Sequence, residues 1–153
     1  MTCNLNLSDD FDEGTLIITT PGAYKLCGDV TFNPRAPGRR QTPAPDAFDP
    51  IFSDTYGENA FGLGFFASIA IATSNVELYL NGHTIEQSRG HALMQRFFAV
   101  IELADSPFIA GVGPAEFVGD GSFDPASNIL IKGPGTIGRS SHHGTCVCER
   151  ENL

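Results

Sequence analysis

The amino-acid sequence predicts an all-β chain built as a parallel β-helix, and three observations lead there. The first is a phrase that occurs twice. Ser74-Asn75-Val76-Glu77-Leu78-Tyr79-Leu80-Asn81-Gly82-His83-Thr84-Ile85 is echoed by Ser127-Asn128-Ile129-Leu130-Ile131-Lys132-Gly133-Pro134-Gly135-Thr136-Ile137. Each copy has a Ser-Asn turn, a short strand with alternating apolar residues, a Gly-centred bend and a Thr-Ile that opens another strand. A unit of this kind cannot bury its own apolar face and needs copies stacked on it. The second observation is that 17 glycines and 10 prolines lie between short apolar runs, which suits brief strands and tight corners. The third is that helical periodicity is confined to one segment.

Residues 1–14 are polar and acidic. Ser8-Asp9-Asp10-Phe11-Asp12-Glu13-Gly14 alternates carboxylates as a calcium loop does, but it lacks the 12-residue ligand register and reads as a solvated lead-in. From Thr15 to Phe32, three β-branched or apolar runs separated by Pro21-Gly22 and Gly28-Asp29 form a first rung or its cap. Residues 33–57 hold five of the ten prolines and no sustained apolar period, so they read as a long surface loop. Phe61 to Thr73 alternates in parts, with small Ala67, Ala70 and Ala72 beside Ile69 and Ile71. It runs into the first copy of the phrase as a second rung.

His91 to Leu103 spaces Leu93, Met94, Phe97, Phe98, Val100 and Ile101 as on a helix. The spacing predicts a helix of three turns laid against the coil, chiefly in its first half, although Phe97 to Leu103 would also serve as a strand. Residues 105–126 form a second loop, and the second copy of the phrase is the third rung. The whole is one domain, 1–153, in which 89–126 are a helix-plus-loop insertion. The copies begin 53 residues apart, more than a bare rung needs, and insertions on one side of a solenoid commonly build its binding face.

Composition narrows the function. A formal charge of −9 with only 9 Lys and Arg argues against nucleic acid as a partner. No run of apolar residues reaches the length of a membrane span. The start of the chain has neither a basic nor an apolar leader region, so synthesis in the cytoplasm is the expectation. Four cysteines, Cys3, Cys27, Cys146 and Cys148, show no zinc spacing. Without a leader they are expected to be mostly reduced thiols, a Cys3–Cys27 bridge being the alternative.

Three stretches carry a family resemblance. Thr20-Pro21-Gly22 with Tyr24, Leu26 and Cys27, the phrase from Ser74 to Ile85, and Gly135-Thr136-Ile137-Gly138 followed by Ser140-Ser141-His142-His143-Gly144 resemble the N-terminal part of pectate-lyase-like right-handed β-helix proteins. More loosely they are similar to β-helix proteins of large DNA viruses. The resemblance covers most of residues 15–144 and implies a short right-handed parallel β-helix of about three rungs, with an N-terminal cap, one inserted helix and long loops. Such proteins include polysaccharide lyases, hydrolases, tailspikes and non-catalytic adhesins, so fold alone does not choose an activity.

The chemistry must therefore come from the residues. A glycoside hydrolase needs two carboxylates facing one bond, and Glu77, Glu86, Asp120 and Asp124 form no close pair in sequence. A lyase needs acidic calcium ligands beside a basic residue, and Arg139 has no acidic ladder near it in sequence. No catalytic residue, metal site or cofactor is assigned. His142 and His143 are the sharpest polar cluster, but neighbours on a strand point to opposite faces, which disfavours a shared metal. Together with Arg139, and with the loop aromatics Tyr56 and Phe108, they are the candidate binding residues for a polysaccharide or glycan.

A solenoid whose last regular strand ends at Ile137 exposes an unpaired rung, and open edges invite pairing with another chain. The function expected is a non-catalytic structural or recognition module that forms a homo-oligomer through that rung, as a virion component or a glycan-binding protein. The alternative is a polysaccharide lyase or glycoside hydrolase of the same superfamily, or a degenerate remnant of one.

Overall fold

A computed structural model describes residues 2–6, 10–11, 15–32, 66–94, 98–103, 126–140 and 143–146. Within them the chain is all-β apart from one short helix. In chain order the elements are β1 (Leu16–Ile18), β2 (Gly22–Lys25), β3 (Val30–Phe32), β4 (Phe66–Ile71), β5 (Val76–Tyr79), β6 (Thr84–Gln87), α1 (Arg89–Met94), β7 (Phe98–Glu102), β8 (Ile129–Lys132), β9 (Thr136–Ile137) and β10 (His143–Cys146).

The strands form three parallel sheets with the orders β1-β4-β7-β10, β2-β5-β8 and β3-β6-β9. The two copies of the phrase lie side by side in register, Val76 against Ile129 and Leu78 against Ile131 in the second sheet, and Ile85 against Ile137 in the third. The residues before them, Gly22, Tyr24 and Val30, continue the same columns in β2 and β3.

Burial follows the period of two. In β5, Val76 and Leu78 are buried while Glu77 and Tyr79 face outward, and in β6 Ile85 and Gln87 are buried between Thr84 and Glu86. The core cluster gathers Leu26, Ile69, Ile71, Val76, Leu78, Ile85, Phe98, Val100 and Ile101. Strand β7 is buried along its whole length, as is β4 from Ala67 to Ile71, so the first sheet is covered on both faces, which explains its unbroken apolar run.

The corners between sheets are made by left-handed asparagines. Asn75, Asn81 and Asn128 have φ of 62°, 56° and 55°, a region that asparagine enters more readily than other side chains. At the Asn75/Asn128 corner the two side chains bond each other, while Asn81 Nδ2 donates to the backbone, to Leu26 O at 2.9 Å.

Two further points were not settled by sequence. Residues 98–102, which suited helix or strand, are a strand, because Phe98 to Glu102 complete the hydrogen-bonding edge of β4 and helix ends at Met94. The cysteine expectation is corrected: Cys3 and Cys27 are bonded. Leu5 pairs in parallel with Leu26, which lays residues 2–6 along β2 and brings the two cysteine Cα atoms to 5.1 Å, within disulfide range.

Candidate functional site

Three polar clusters of the described residues lie toward the surface, each built where one layer of strands meets the next. On the outer face of the second sheet, β5 and β8 set Tyr79 beside Lys132 and Glu77 beside Leu130. The Tyr79 hydroxyl donates to Glu77 Oε2 at 2.8 Å, Lys132 Nζ stands 3.1 Å from the same oxygen, and the ammonium lies 4.5 Å from the tyrosine ring centroid. The hydrogen bond from Tyr79, and then Lys132, hold the Glu77 carboxyl below its ordinary range. Tyr79 and then Glu77 raise the Lys132 ammonium in turn. All of these groups are open to water, so the cluster stays charged and screened at neutral pH.

At the corner between the second and third sheets, Asp29 Oδ1 accepts from the Thr84 amide at 2.9 Å and lies 3.3 Å from His83 Nδ1. The amide bond is the main cause of a lowered Asp29 carboxyl, with His83 adding to it. On the third sheet, Arg139 Nη1 donates to Gln87 O at 3.0 Å and stands 3.8 Å from Glu86 Oε1. Gln87 N–H closes the link by donating to Arg139 O at 2.8 Å.

A fourth polar group is internal. His91, on α1, is buried with its Nδ1 2.8 Å from Gln87 Nε2, so that the amide donates and the ring proton sits on Nε2. Phe32 and Phe98 pack edge-on around the ring at 5.3 and 5.6 Å. Burial pushes the imidazole down to about 4, so it is neutral at physiological pH.

Of the residues that the sequence proposed for binding, the structure describes two. Arg139 is exposed and bound to β6, and it does have an acidic neighbour in Glu86, which sequence distance concealed. His143 lies in β10, paired with Ala99 of β7. His142, Tyr56 and Phe108 lie outside the described residues, as do Asp120 and Asp124.

Glu77 is paired with Lys132, Glu86 with Arg139 and Asp29 with His83, and the three carboxylates sit on the second sheet, the third sheet and the corner between them, not as the facing pair that acid–base work on a glycosidic bond requires. Among the described residues no group of three His, Cys, Asp or Glu side chains gathers as a metal would need. The Tyr79–Lys132 contact was absent from the sequence reading, although aligning the two copies of the phrase puts those residues in one column.

No family model matches the chain, and the searches of curated proteins and solved structures likewise return no match. Function therefore has to be argued from the sheets and their edges.

Proposed function

We propose that the chain is a right-handed parallel β-helix of about three turns, serving as a non-catalytic structural or recognition module that associates with a second copy through the β8–β9 edge. The visiting order of the three sheets supports the helix, and the strong preference of parallel crossovers supports its hand.

The observation that carries the association is a contrast within single columns. Val76, Leu78 and Ile85 are 0% exposed, whereas Ile129, Ile131 and Ile137, stacked on them in the same registers, are only partly buried. Leu130 is 46% exposed beside them. Lys132 O accepts from the Leu80 N–H, so the alternation of the strand turns the N–H and C=O of Ile129 and Ile131 away from β5. No strand among the described residues pairs with that side of β8. An edge of unpaired backbone backed by half-covered isoleucines is what a second chain would complete.

Size-exclusion chromatography with light scattering tests this under non-reducing conditions. The expected mass is twice that of the 16.3 kDa chain, and Ile131→Pro, which removes an outward N–H, is expected to return a single-chain mass. A wild-type protein that remains a single chain at the highest attainable concentration overturns the reading.

A further inference from the structure

We infer that β2 carries a second assembly edge for another copy of this chain, held shut by the Cys3–Cys27 bridge; the inference rests on the reading of the chain as a self-associating module. The opposite side of the second sheet from β8 is the outer side of β2. Gly22 and Leu26 donate to Asn75 and Tyr79 of the neighbouring layer, so alternation points the backbone groups of Ala23, Lys25 and Cys27 outward.

Those groups are occupied by a short stretch of the chain's own N-terminal region. Asn4 Nδ2 donates to Ala23 O at 3.1 Å, and Asn4 Oδ1 accepts from Lys25 N–H at 2.7 Å. The Asn4 and Leu5 amides donate to Lys25 O at 3.1 and 3.0 Å, and Cys27 N–H donates to Leu5 O at 3.0 Å. Asn4 thus imitates a strand residue with its side chain.

The covering stretch does not extend the sheet further. Asn6 N–H donates to Asp10 Oδ2 at 2.6 Å and Asn6 O accepts from Asp10 N–H at 2.9 Å, so a turn takes up the backbone groups that a following strand would use. The stretch is a terminator, and of residues 2–6 only Leu5 is buried. Its anchor is the bridge, which closes a span of 24 residues between an exposed Cys3 and a half-buried Cys27.

A dithiol reductant reaches this bridge from solvent. One of its thiolates attacks a bridge sulfur, the Cys3–Cys27 bond breaks and a mixed disulfide forms. The second thiol then displaces the cysteine. Two electrons pass to the protein, two protons end on the cysteine sulfurs, and the reductant leaves as its cyclic disulfide. Residues 2–6 are then held by water-exposed hydrogen bonds and one leucine, and the loop-closure constraint is gone. Opening them turns the Ala23, Lys25 and Cys27 groups into a free strand edge. A chain with one associating edge closes at two copies, while a chain with two keeps adding copies.

The test compares the full chain with and without dithiothreitol, by light scattering across concentration and by amide exchange, with far-UV circular dichroism confirming that the fold persists. Expected are twice 16.3 kDa when oxidised, a mass that climbs past two chains with concentration when reduced, and exchange at the Lys25 amide faster by about tenfold or more. Lys25→Pro, which removes the outward N–H, is expected to hold the reduced protein at two chains. A Lys25 amide equally protected after reduction overturns the inference, as does a reduced, folded protein that stays at two chains with that amide exposed. An oxidised single chain that pairs only on reduction keeps the β2 edge and removes the β8–β9 reading instead. Where the reduced chain loses its fold, Asn4→Ala with the bridge intact decides: it frees Ala23 O and Lys25 N–H, growth beyond two chains supports the inference, and a mass unchanged from wild type overturns it.

Discussion

Asn128 stands directly on Asn75: its Nδ2 donates to Asn75 Oδ1 at 2.7 Å, and both residues hold left-handed backbone angles. Ser127 and Ser74 beside them repeat the arrangement, with hydroxyls 2.9 Å apart. The corner therefore uses asparagine for two reasons, its tolerance of positive φ and its side-chain bond to the next layer. Substitution separates them. Asn75→Gly keeps the conformation and loses the bond, at an expected cost of about 1 kcal/mol. Asn75→Ala loses both and is expected to cost about 2 kcal/mol, as read by urea denaturation. Equal costs would show that the ladder bond, and not the backbone angle, dominates.

Gly135 is expected to tolerate no side chain. Its φ is +147°, and a Cβ there would fall 2.5 Å from Leu80 Cβ and 2.7 Å from the His83 carbonyl oxygen. The obstacles are a buried column residue and backbone, neither of which swings aside. Gly135→Ala is expected to lower stability by on the order of 3 kcal/mol in a thermal or urea melt. Gly82→Ala, where φ is +84° but nothing lies within 4 Å, is expected to cost about 1 kcal/mol from the backbone alone.

Leu78 and Ile131 occupy one column but different depths. Leu78→Ala removes a fully buried side chain and is expected to cost about 3 kcal/mol. In dilute protein, Ile131→Ala is expected to cost about 1 kcal/mol, because part of that side chain already meets water. At high concentration the Ile131→Ala cost should grow if the edge is covered by a second chain, and denaturation midpoints measured across concentration read the change.

His91 makes stability depend on pH in a definite window. Its folded value of about 4 lies below the ordinary 6.5, so the unfolded chain takes up the proton first as pH falls. The histidine's contribution is intact above about pH 6.5 and is lost progressively down to about pH 4, with a loss of about 2 kcal/mol expected between pH 7 and pH 5. His91→Gln is expected to flatten that slope in paired urea titrations. The lowered Asp29 and Glu77 carboxyls act at lower pH, where their stabilisation disappears as pH falls through their folded values.

Much of the architecture was legible in short-range pattern. The alternation in Val76-Glu77-Leu78-Tyr79 told inside from outside, and the repeated Ser-Asn and Thr-Ile placed β5 and β6 beside β8 and β9, because two copies of one unit find the same corners and the same registers. Strands β1 to β3 were marked by β-branched runs between turn residues. The candidate site was far less legible. Arg139 meets Glu86 only because β9 is laid on β6, an encounter that alternation along one strand does not encode.

Sequence by itself determined the all-β class, the period that buries Val76, Leu78 and Ile85, and the asparagine corners, since each follows from local sterics and from apolar residues recurring every second position. Tertiary structure alone decided that Phe98–Glu102 is a strand, that Cys3 joins Cys27, and that Glu77 meets Lys132 and Glu86 meets Arg139. In those cases the deciding partner is distant along the chain: the free edge of β4, the Leu5–Leu26 pairing, and the facing strand of the next layer. A local pattern cannot weigh a contact whose existence depends on the fold being already formed.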